Sequence, residues 1–248
     1  MLKTFLQGLT DLVYPPNCLL CRRHLSPDER RIILCHPCVN TIDPNRPPFC
    51  PKCSRPIFDA EYPAGGGVGP LCRDCLKTEL HFDQAWAACL YTESMRRLIH
   101  LFKYSHKTSL RSFLVDRIFS FLDNYHIPLE SFEMIMPVPL HPVRMRERGY
   151  NQAQLLSQPI AARLGIPHLT DNLIRVRPTP TQAFLSKKDR WTNIQGAFKI
   201  KNVESFSKKS ILLVDDLLTT GITASEAAGV LKEAGAAHVG VLTLAITL

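Results

Sequence analysis

The stretch Ile211-Leu-Leu-Val-Asp-Asp-Leu-Leu-Thr-Thr-Gly-Ile-Thr223 decides the fold of this chain. Its first four apolar residues predict a buried parallel strand. A helical pattern follows, with apolar positions at 227, 230, 231 and 234 and a stop at Gly235. Between the strand and the helix lie two adjacent acids and a threonine-rich loop. Such a loop suits a phosphate group, because the first N–H groups of a helix are unpaired and Gly221 allows a ligand close to the backbone.

Two known phosphate motifs are absent from this stretch. It has no Gly-Lys-Ser/Thr of a Walker A loop and no G-x-G-x-x-G of a dinucleotide site. The adjacent carboxylates of Asp215 and Asp216 would repel a phosphate, so they need another reason to be there. Hydrogen bonds from two ribose hydroxyls supply one. The stretch therefore predicts a ligand that carries both a ribose and a phosphate.

The same thirteen residues resemble the signature of type I phosphoribosyltransferases. The resemblance implies an α/β fold, with a parallel sheet flanked by helices. It also implies that Asp215 and Asp216 hold the 2′- and 3′-hydroxyls of phosphoribosyl pyrophosphate (PRPP), which binds with Mg²⁺. The residues expected around the 5′-phosphate are Leu218, Thr219, Thr220, Gly221 and Thr223.

A second apolar segment, 134–136, leads into another candidate loop. Residues 137–142 are rich in proline, and several arginines follow. In the family that the signature resembles, the corresponding loop binds pyrophosphate, and guanidinium groups suit phosphate oxygens. The residues expected there are Pro139, Leu140, Arg144 and Arg148. A solvated basic loop is the alternative. Asn151 is expected to cap the next helix.

The stretch 175–198 is polar, basic and proline-rich. It occupies the position of the flexible loop that closes over the site in phosphoribosyltransferases. Lys187, Lys188 and Arg190 are candidates to supply positive charge to a leaving pyrophosphate. Mobile surface charge is the alternative interpretation.

Eight of the nine cysteines lie in four C-x-x-C pairs: Cys18 and Cys21, Cys35 and Cys38, Cys50 and Cys53, Cys72 and Cys75. Two such pairs complete a tetrahedral four-sulfur shell, so the pattern predicts two structural zinc ions. Sequential pairing would give tandem zinc ribbons, and interleaved pairing remains open. Thioredoxin-type redox chemistry is disfavoured, because that motif starts a helix in a βαβ unit whereas these pairs lie in proline-rich loops. Cys89 is expected to pack in a strand.

Composition divides the 248 residues into two expected domains, 1–80 with an apolar N-terminal helix and the zinc ribbons, and 81–248 with the phosphate-binding motifs. The chain is 45% hydrophobic and carries a net charge of +8, most of it in the second domain. No apolar run approaches the roughly 20 residues of a membrane span. The N-terminus does not look like a signal peptide, so a cytoplasmic location is expected.

The order of these parts resembles the ComF family of competence and DNA-utilisation proteins. The resemblance is carried by the double zinc ribbon, residues 98–104, residues 148–152 and the phosphate loop. It implies a role in natural transformation, in which DNA is taken up as single strands beside a helicase-like or channel partner. The residues themselves add a basic, aromatic segment of the kind that binds single-stranded DNA, with Arg96, Arg97, Lys103 and Lys107 as candidates.

Whether the chain is an enzyme stays open at this stage. The last apolar segment, 239–246, is followed by no aromatic residue that could stack on an acceptor base. Three hypotheses remain: a competence factor that binds a PRPP-like ligand and single-stranded DNA, a catalytically active phosphoribosyltransferase of nucleobase salvage or of amidophosphoribosyltransferase type, and a zinc-ribbon adaptor.

Overall fold

A computed structural model describes residues 16–57, 71–178 and 194–248. The expected N-terminal helix lies outside the described residues. So do the flexible-loop candidates Lys187, Lys188 and Arg190. Among the described residues, no helix is both long and apolar enough to cross a membrane.

The described chain contains seven α-helices and six strands. The helices are α1 (His36–Val39), α2 (Arg73–Lys77), α3 (Glu93–Tyr104), α4 (Arg111–Asn124), α5 (Pro142–Arg148), α6 (Gln152–Leu164) and α7 (Ile222–Glu233). The strands are β1 (Gln84–Leu90), β2 (Met134–Pro137), β3 (Leu173–Arg175), β4 (Phe198–Ile200), β5 (Ser210–Leu218) and β6 (His238–Ile246).

Four strands form one parallel sheet in the order β1-β6-β5-β2. The strand predicted from the four apolar residues is β5, and residues 211–214 are fully buried. Strand β5 lies between β6 and β2, and it continues through the acidic pair to Leu218. Strands β3 and β4 form a separate antiparallel pair, in which Arg175 lies opposite Phe198. This pair joins the two ends of the polar stretch 175–198.

Alternate residues of the sheet pack into two cores. Leu212, Val214 and Leu242 face helices α3, α4 and α6, whereas Ile211 and Leu213 face α7 and the β3–β4 pair. Both faces of the sheet are therefore covered, as expected of a parallel sheet. The predicted parallel sheet with flanking helices is confirmed.

The predicted end of a helix at Gly235 and the predicted helix cap at Asn151 are confirmed. Gly221 precedes α7 with φ 77°, and Gly235 follows it with φ 92°. Both angles lie in the left-handed region that glycine adopts without strain. The Asn151 side chain accepts a hydrogen bond of 3.0 Å from the Ala153 N–H and caps α6 as expected.

The eight paired cysteines form two clusters, and the pairing is sequential. Cys18, Cys21, Cys35 and Cys38 make the first cluster, and Cys50, Cys53, Cys72 and Cys75 make the second. The four Sγ atoms of each cluster lie within 4.8 Å of one another. The distances between Sγ atoms are 3.5 Å for Cys21 and Cys35 and 3.6 Å for Cys53 and Cys72. A tetrahedral zinc–thiolate shell requires about 3.8 Å, so the clusters fit two structural zinc ions.

The two clusters lie on opposite faces of the sheet. Cys18 and Cys35 belong to the core under α3 and α4, whereas Cys50 and Cys53 belong to the core under α7. The chain between the clusters passes along edge strand β1. The Asn45 N–H donates to the Ala88 carbonyl, and the Leu90 N–H donates to the Asp43 carbonyl, each at 2.9 Å. The ribbons therefore contact both faces of the sheet and are joined by a segment bonded to this edge.

Buried side chains of the ribbons form hydrogen bonds with the backbone of β1 at this edge. The Asn45 amide donates to the Ser54 and Ala87 carbonyls, and the Ser54 hydroxyl accepts from the Ala87 N–H. Asn45 and Ser54 are fully buried. The division at residue 80 into two domains stays a prediction.

Gly240 in β6 offers a test of the sheet packing. A Cβ atom there would overlap the ring of Phe132, which is 2% exposed and packs edge-on against Trp86 with ring centroids 6.1 Å apart. We expect Gly240→Ala to lower the free energy of unfolding by about 1–3 kcal/mol, since a filled core has no space for the added methyl group.

Urea unfolding measures this loss. Phe132→Leu combined with Gly240→Ala should recover part of it, because the smaller side chain makes room. An unchanged unfolding midpoint for Gly240→Ala would show that the ring moves aside without cost.

Candidate functional site

A cleft of about 730 Å³ opens at the carboxyl end of β5. Parallel α/β sheets bind ligands at this edge, where strands give way to loops and helix N-termini. The cleft is bounded by the end of β5, the loop after β2, helix α5, the end of β3 and one side of α3. Most of the predicted site residues meet here.

The acidic pair lies on the wall of the cleft. Asp216 is 6% exposed, and its carboxylate pairs with the Lys103 ammonium at 2.6 Å. Asp215 accepts a hydrogen bond of 2.8 Å from the Asp216 N–H. Burial lowers the pKa of Lys103, but the Asp216 carboxylate outweighs burial and raises it overall. Lys103 thus stays charged and balances one of the two carboxylates.

Within residues 16–57, 71–178 and 194–248, no ion pair of this kind is formed by Asp215. Burial and the charge of Asp216 raise the pKa of Asp215 to about 7, although Lys103 opposes the shift. The neighbouring carboxylates therefore compete for one ammonium. A polyol that offered hydroxyl hydrogens to both would stabilise their charged forms.

The predicted phosphate loop connects β5 to α7. Thr219 and Thr223 line the cleft, and Thr219, Thr220 and Gly221 also line a smaller cavity of about 20 Å³ beside it. The position that a Cβ of Gly221 would occupy is 3.4 Å from the Phe82 ring, so the loop is packed closely from behind. Leu218 is 3% exposed and belongs to the core beneath the loop. The loop and the twelve-residue α7 present a helix N-terminus at the edge of the cleft.

Four arginines line the cleft, and one of them is Arg96 of α3. Arg144 and Arg148 come from α5, as the sequence predicts, and Arg175 comes from the end of β3. Burial lowers the pKa of Arg175, as do the charges of Arg144 and Arg148, while Asp215 raises it. Three guanidinium groups lining one cleft would bind a doubly phosphorylated group well. Pro139 and Leu140, also predicted, form part of the same wall.

Arg175 is a site residue that the sequence reasoning missed. In the sequence it begins the polar, proline-rich stretch 175–198, which predicts a flexible loop. The structure instead places it in a short strand, held by its pairing with Phe198. Its guanidinium lies over the Phe198 ring, 5.4 Å from the centroid. The alternation of Leu173, Ile174 and Arg175 is too short to have predicted a strand.

Aromatic side chains lie in the cleft as well. Tyr91, His100 and Tyr104 line it, and none of them follows the last strand, where sequence reasoning looked for an acceptor site. The Arg148 guanidinium lies 4.8 Å from the Tyr104 ring centroid and donates to its hydroxyl at 3.0 Å. Tyr104 is nevertheless 48% exposed. The helical pattern of α3 gave no indication of which side would face a ligand.

The four DNA-binding candidates lie in different surroundings. Lys103 is inside the cleft with Asp216, and Arg97 donates to the Leu20 carbonyl of the first ribbon at 2.7 Å. Arg96 lines the cleft and pairs with Glu93 at 2.7 Å. Lys107 is exposed just beyond the end of α3. The four candidates of this basic, aromatic segment thus make different contacts, and their role in DNA binding stays a prediction.

These features define a class of protein in which a parallel α/β fold, with a cleft at the carboxyl end of its strands, is joined to two four-cysteine zinc clusters. A family model described as "Double zinc ribbon domain" matches residues 9–76. The chain is also 34% identical to competence protein F of Haemophilus influenzae, over 92% of this chain and 96% of that protein. This chain belongs to the competence protein F (ComF) family.

Two further relatives are similar in sequence along most of the chain. The DNA utilization protein YhgH of Salmonella typhi is 31% identical, over 96% of this chain and all of that protein. Competence protein ComFC of Bacillus subtilis is 31% identical, over 89% of this chain and 85% of that protein. An adenine phosphoribosyltransferase of Thermoanaerobacter pseudethanolicus has 15% identity and a TM-score of 0.36, covering 58% of this chain and 84% of that one.

The raised pKa of Asp215 gives a testable dependence of stability on pH. The folded-state pKa of about 7 lies above the reference value of 3.8, so the charged carboxylate destabilises the ligand-free protein above about pH 7. This cost declines as the pH falls from 7 toward 4, because the folded protein takes up a proton. We expect Asp215→Asn to raise the free energy of unfolding by about 2 kcal/mol at pH 8 and by about 1 kcal/mol less at pH 6.

Denaturant unfolding at the two pH values measures this difference. Both lie above the range in which zinc thiolates are readily protonated. Asp171→Asn changes an exposed carboxylate in the same way and serves as the control. An equal gain at both pH values would contradict the role assigned to burial of the Asp215 charge.

Proposed function

We propose that this chain is a competence or DNA-uptake factor whose cleft binds PRPP, or a similar phosphoribosyl ligand, together with Mg²⁺, and that it also binds single-stranded DNA. One observation carries the ligand assignment: a single cleft brings together a pair of carboxylates, a threonine-rich loop at a helix N-terminus and three arginines. The names of the relatives, competence protein and DNA utilization protein, support the wider role.

The three groups match the three parts of a phosphoribosyl pyrophosphate. Asp215 and Asp216 accept hydrogen bonds from the ribose hydroxyls. The loop from Leu218 to Thr223 holds the 5′-phosphate through backbone N–H and threonine hydroxyl groups. Arg144, Arg148 and Arg175 hold the pyrophosphate, and Pro139 and Leu140 shape the wall beside it. No one of these groups would specify the ligand alone, but together they require a sugar with anionic groups at both ends.

Lys103 balances the charge of one of the two carboxylates. Two neighbouring carboxylates without a cation would be costly in a partly buried position. Its ammonium pairs with Asp216, and a bound ribose would share that carboxylate with it. Magnesium suits the bound state, because it prefers carboxylate, phosphate and hydroxyl oxygens, and it neutralises a pyrophosphate as it binds. The carboxylates in this cleft fit that preference.

Catalysis is a second candidate function, and the aromatic side chains in the cleft favour it. Tyr91, His100 and Tyr104 offer surfaces on which an acceptor base could stack beside the ribose site. The reaction would displace pyrophosphate from C1′ of PRPP, with the arginines stabilising the leaving group. Robust pyrophosphate release that depends on an added nucleobase would establish this activity.

Single-stranded DNA binding rests on the outer part of the same region. Lys107 and Tyr104 are exposed around the end of α3, and Arg96 is exposed near the start of the same helix. Exposed cations near an aromatic ring suit a nucleic-acid strand, with phosphates at the cations and a base on the ring. The basic excess of the second half of the chain adds a general attraction for DNA.

Calorimetric titration tests the ligand proposal. With Mg²⁺ present, we expect wild-type protein to bind PRPP, and we expect Asp216→Asn and Arg175→Met each to weaken binding by about 10–100-fold, because each removes a charge-assisted contact. Asp171→Asn, outside the cleft, should bind as wild type does. Failure of the wild type to bind PRPP, or equal affinity in all variants, would overturn the proposal.

Oligonucleotide binding tests the DNA proposal separately. We expect a single-stranded oligonucleotide to bind with an affinity that falls as salt increases, and Lys107→Glu to reduce the salt slope by about 1. Lys201→Glu makes the same charge change at an exposed position that does not line the cleft. If both variants weakened binding equally, the DNA would be responding only to net charge. No binding at low salt would refute this part of the function.

A further inference from the structure

Arg55 lies between the second zinc cluster and the phosphate loop. It follows Cys53 by two residues, and its side chain is 22% exposed. One guanidinium nitrogen pairs with the carboxylate of Asp74, which lies inside the knuckle formed by Cys72 and Cys75. Another donates to the Thr219 carbonyl at 3.4 Å. A single planar group thus connects a zinc knuckle to the first threonine of the loop.

The second zinc cluster and the phosphate loop also line one small cavity. Its volume is about 20 Å³, space for one water molecule, and it is lined by Cys53, Arg55, Asp74, Cys75 and the loop residues Thr219, Thr220 and Gly221, among others. Arg55 Nε and the Thr220 hydroxyl are buried and have no hydrogen-bond partner among the described residues. The back of the phosphate loop therefore rests on the zinc ribbon and not on the α/β core alone.

Holding the Thr219 carbonyl has a direct consequence for the front of the loop. A planar trans peptide directs its C=O and N–H to opposite sides. When Arg55 holds the Thr219 oxygen on the ribbon side, the Thr220 N–H of the same peptide points the other way. The Thr247 hydroxyl donates to the same carbonyl at 3.5 Å and supports that orientation. A carbonyl that turned outward would instead present a negative dipole to an anion.

We propose that Arg55 is a positioning residue, through which the second zinc cluster holds the phosphate loop in its ligand-binding conformation. The inference rests on the proposed phosphoribosyl function and adds a coupling to it. Zinc at the second cluster favours binding of the 5′-phosphate, and by reciprocity the bound phosphate favours retention of that zinc. The first cluster lies on the opposite face of the sheet, where Arg97 of α3 contacts its ribbon, so it does not take part.

The first measurement separates the two ends of the ligand. Ribose 5-phosphate carries the phosphate that meets the loop, whereas inorganic pyrophosphate meets only the arginines. We expect Arg55→Gln to weaken ribose 5-phosphate binding about tenfold and to leave pyrophosphate binding unchanged. Arg55→Lys should fall in between, because one ammonium cannot span both Asp74 and the Thr219 carbonyl.

Matched variants control for damage to the ribbons. Arg23→Gln removes an arginine that pairs with Glu29 in the first ribbon at 2.7 Å, and it should leave both affinities unchanged. Asp74→Asn removes the carboxylate that pairs with Arg55 and should reproduce part of the Arg55→Gln effect. Each variant is checked for two zinc ions per chain and for an unfolding midpoint close to that of the wild type.

The second measurement is zinc release to a chelator. We expect ribose 5-phosphate to slow the release of one zinc ion of the two in the wild type and to have no such effect in Arg55→Gln. Protection of both ions, or of neither, would overturn the coupling. Equal ribose 5-phosphate affinities in the wild type and Arg55→Gln would overturn the positioning role alone. A wild type that binds neither ribose 5-phosphate nor PRPP would overturn the proposed function and this inference together.

Discussion

Two adjacent carboxylates at the end of a buried strand need a positive charge nearby, and much of this molecule is arranged around that need. Lys103 provides the charge from α3, which places its ammonium 2.6 Å from Asp216. The position of α3 is itself fixed by the fully buried Met95, Leu98 and Phe102 and by the contact of Arg97 with the first ribbon. The electrostatics of the cleft therefore depend on packing some distance away.

The double zinc ribbon supports the site from two sides. Its first half packs on the face that carries α3, and its second half packs behind the phosphate loop. Zinc ribbons this small have too little apolar surface to fold without metal, so the metal provides their rigidity. That rigidity is passed to the loop and the helix that line the cleft, through hydrogen bonds to the Leu20 and Thr219 carbonyls.

The parts that the sequence predicts well are those encoded by neighbouring residues. The strand, loop and helix around Asp215 form one continuous pattern, as do the cysteine knuckles, and both are confirmed. The parts it does not predict join segments far apart in the chain. Lys103 pairs with Asp216, 113 residues further along the chain, and Arg55 donates to the carbonyl of Thr219, 164 residues further along. Hydrophobic periodicity places Lys103 on a helix, and cysteine spacing places Arg55 on a ribbon, but neither shows which partner each side chain contacts.

Both edges of the parallel sheet are occupied by irregular chain. Residues 43–45 bond to β1, and residues 167–169 bond to β2 through the backbone of Ile135. The first of these segments lies between the two zinc clusters in the chain, and the buried Asn45 side chain bonds it to Ser54 next to the second cluster. Loss of zinc would uncover the N–H and C=O groups of β1, and a bare strand edge is a template for another chain. Bound zinc therefore helps to keep the β1 edge covered and so opposes self-association and aggregation. This effect is separate from ligand binding in the cleft.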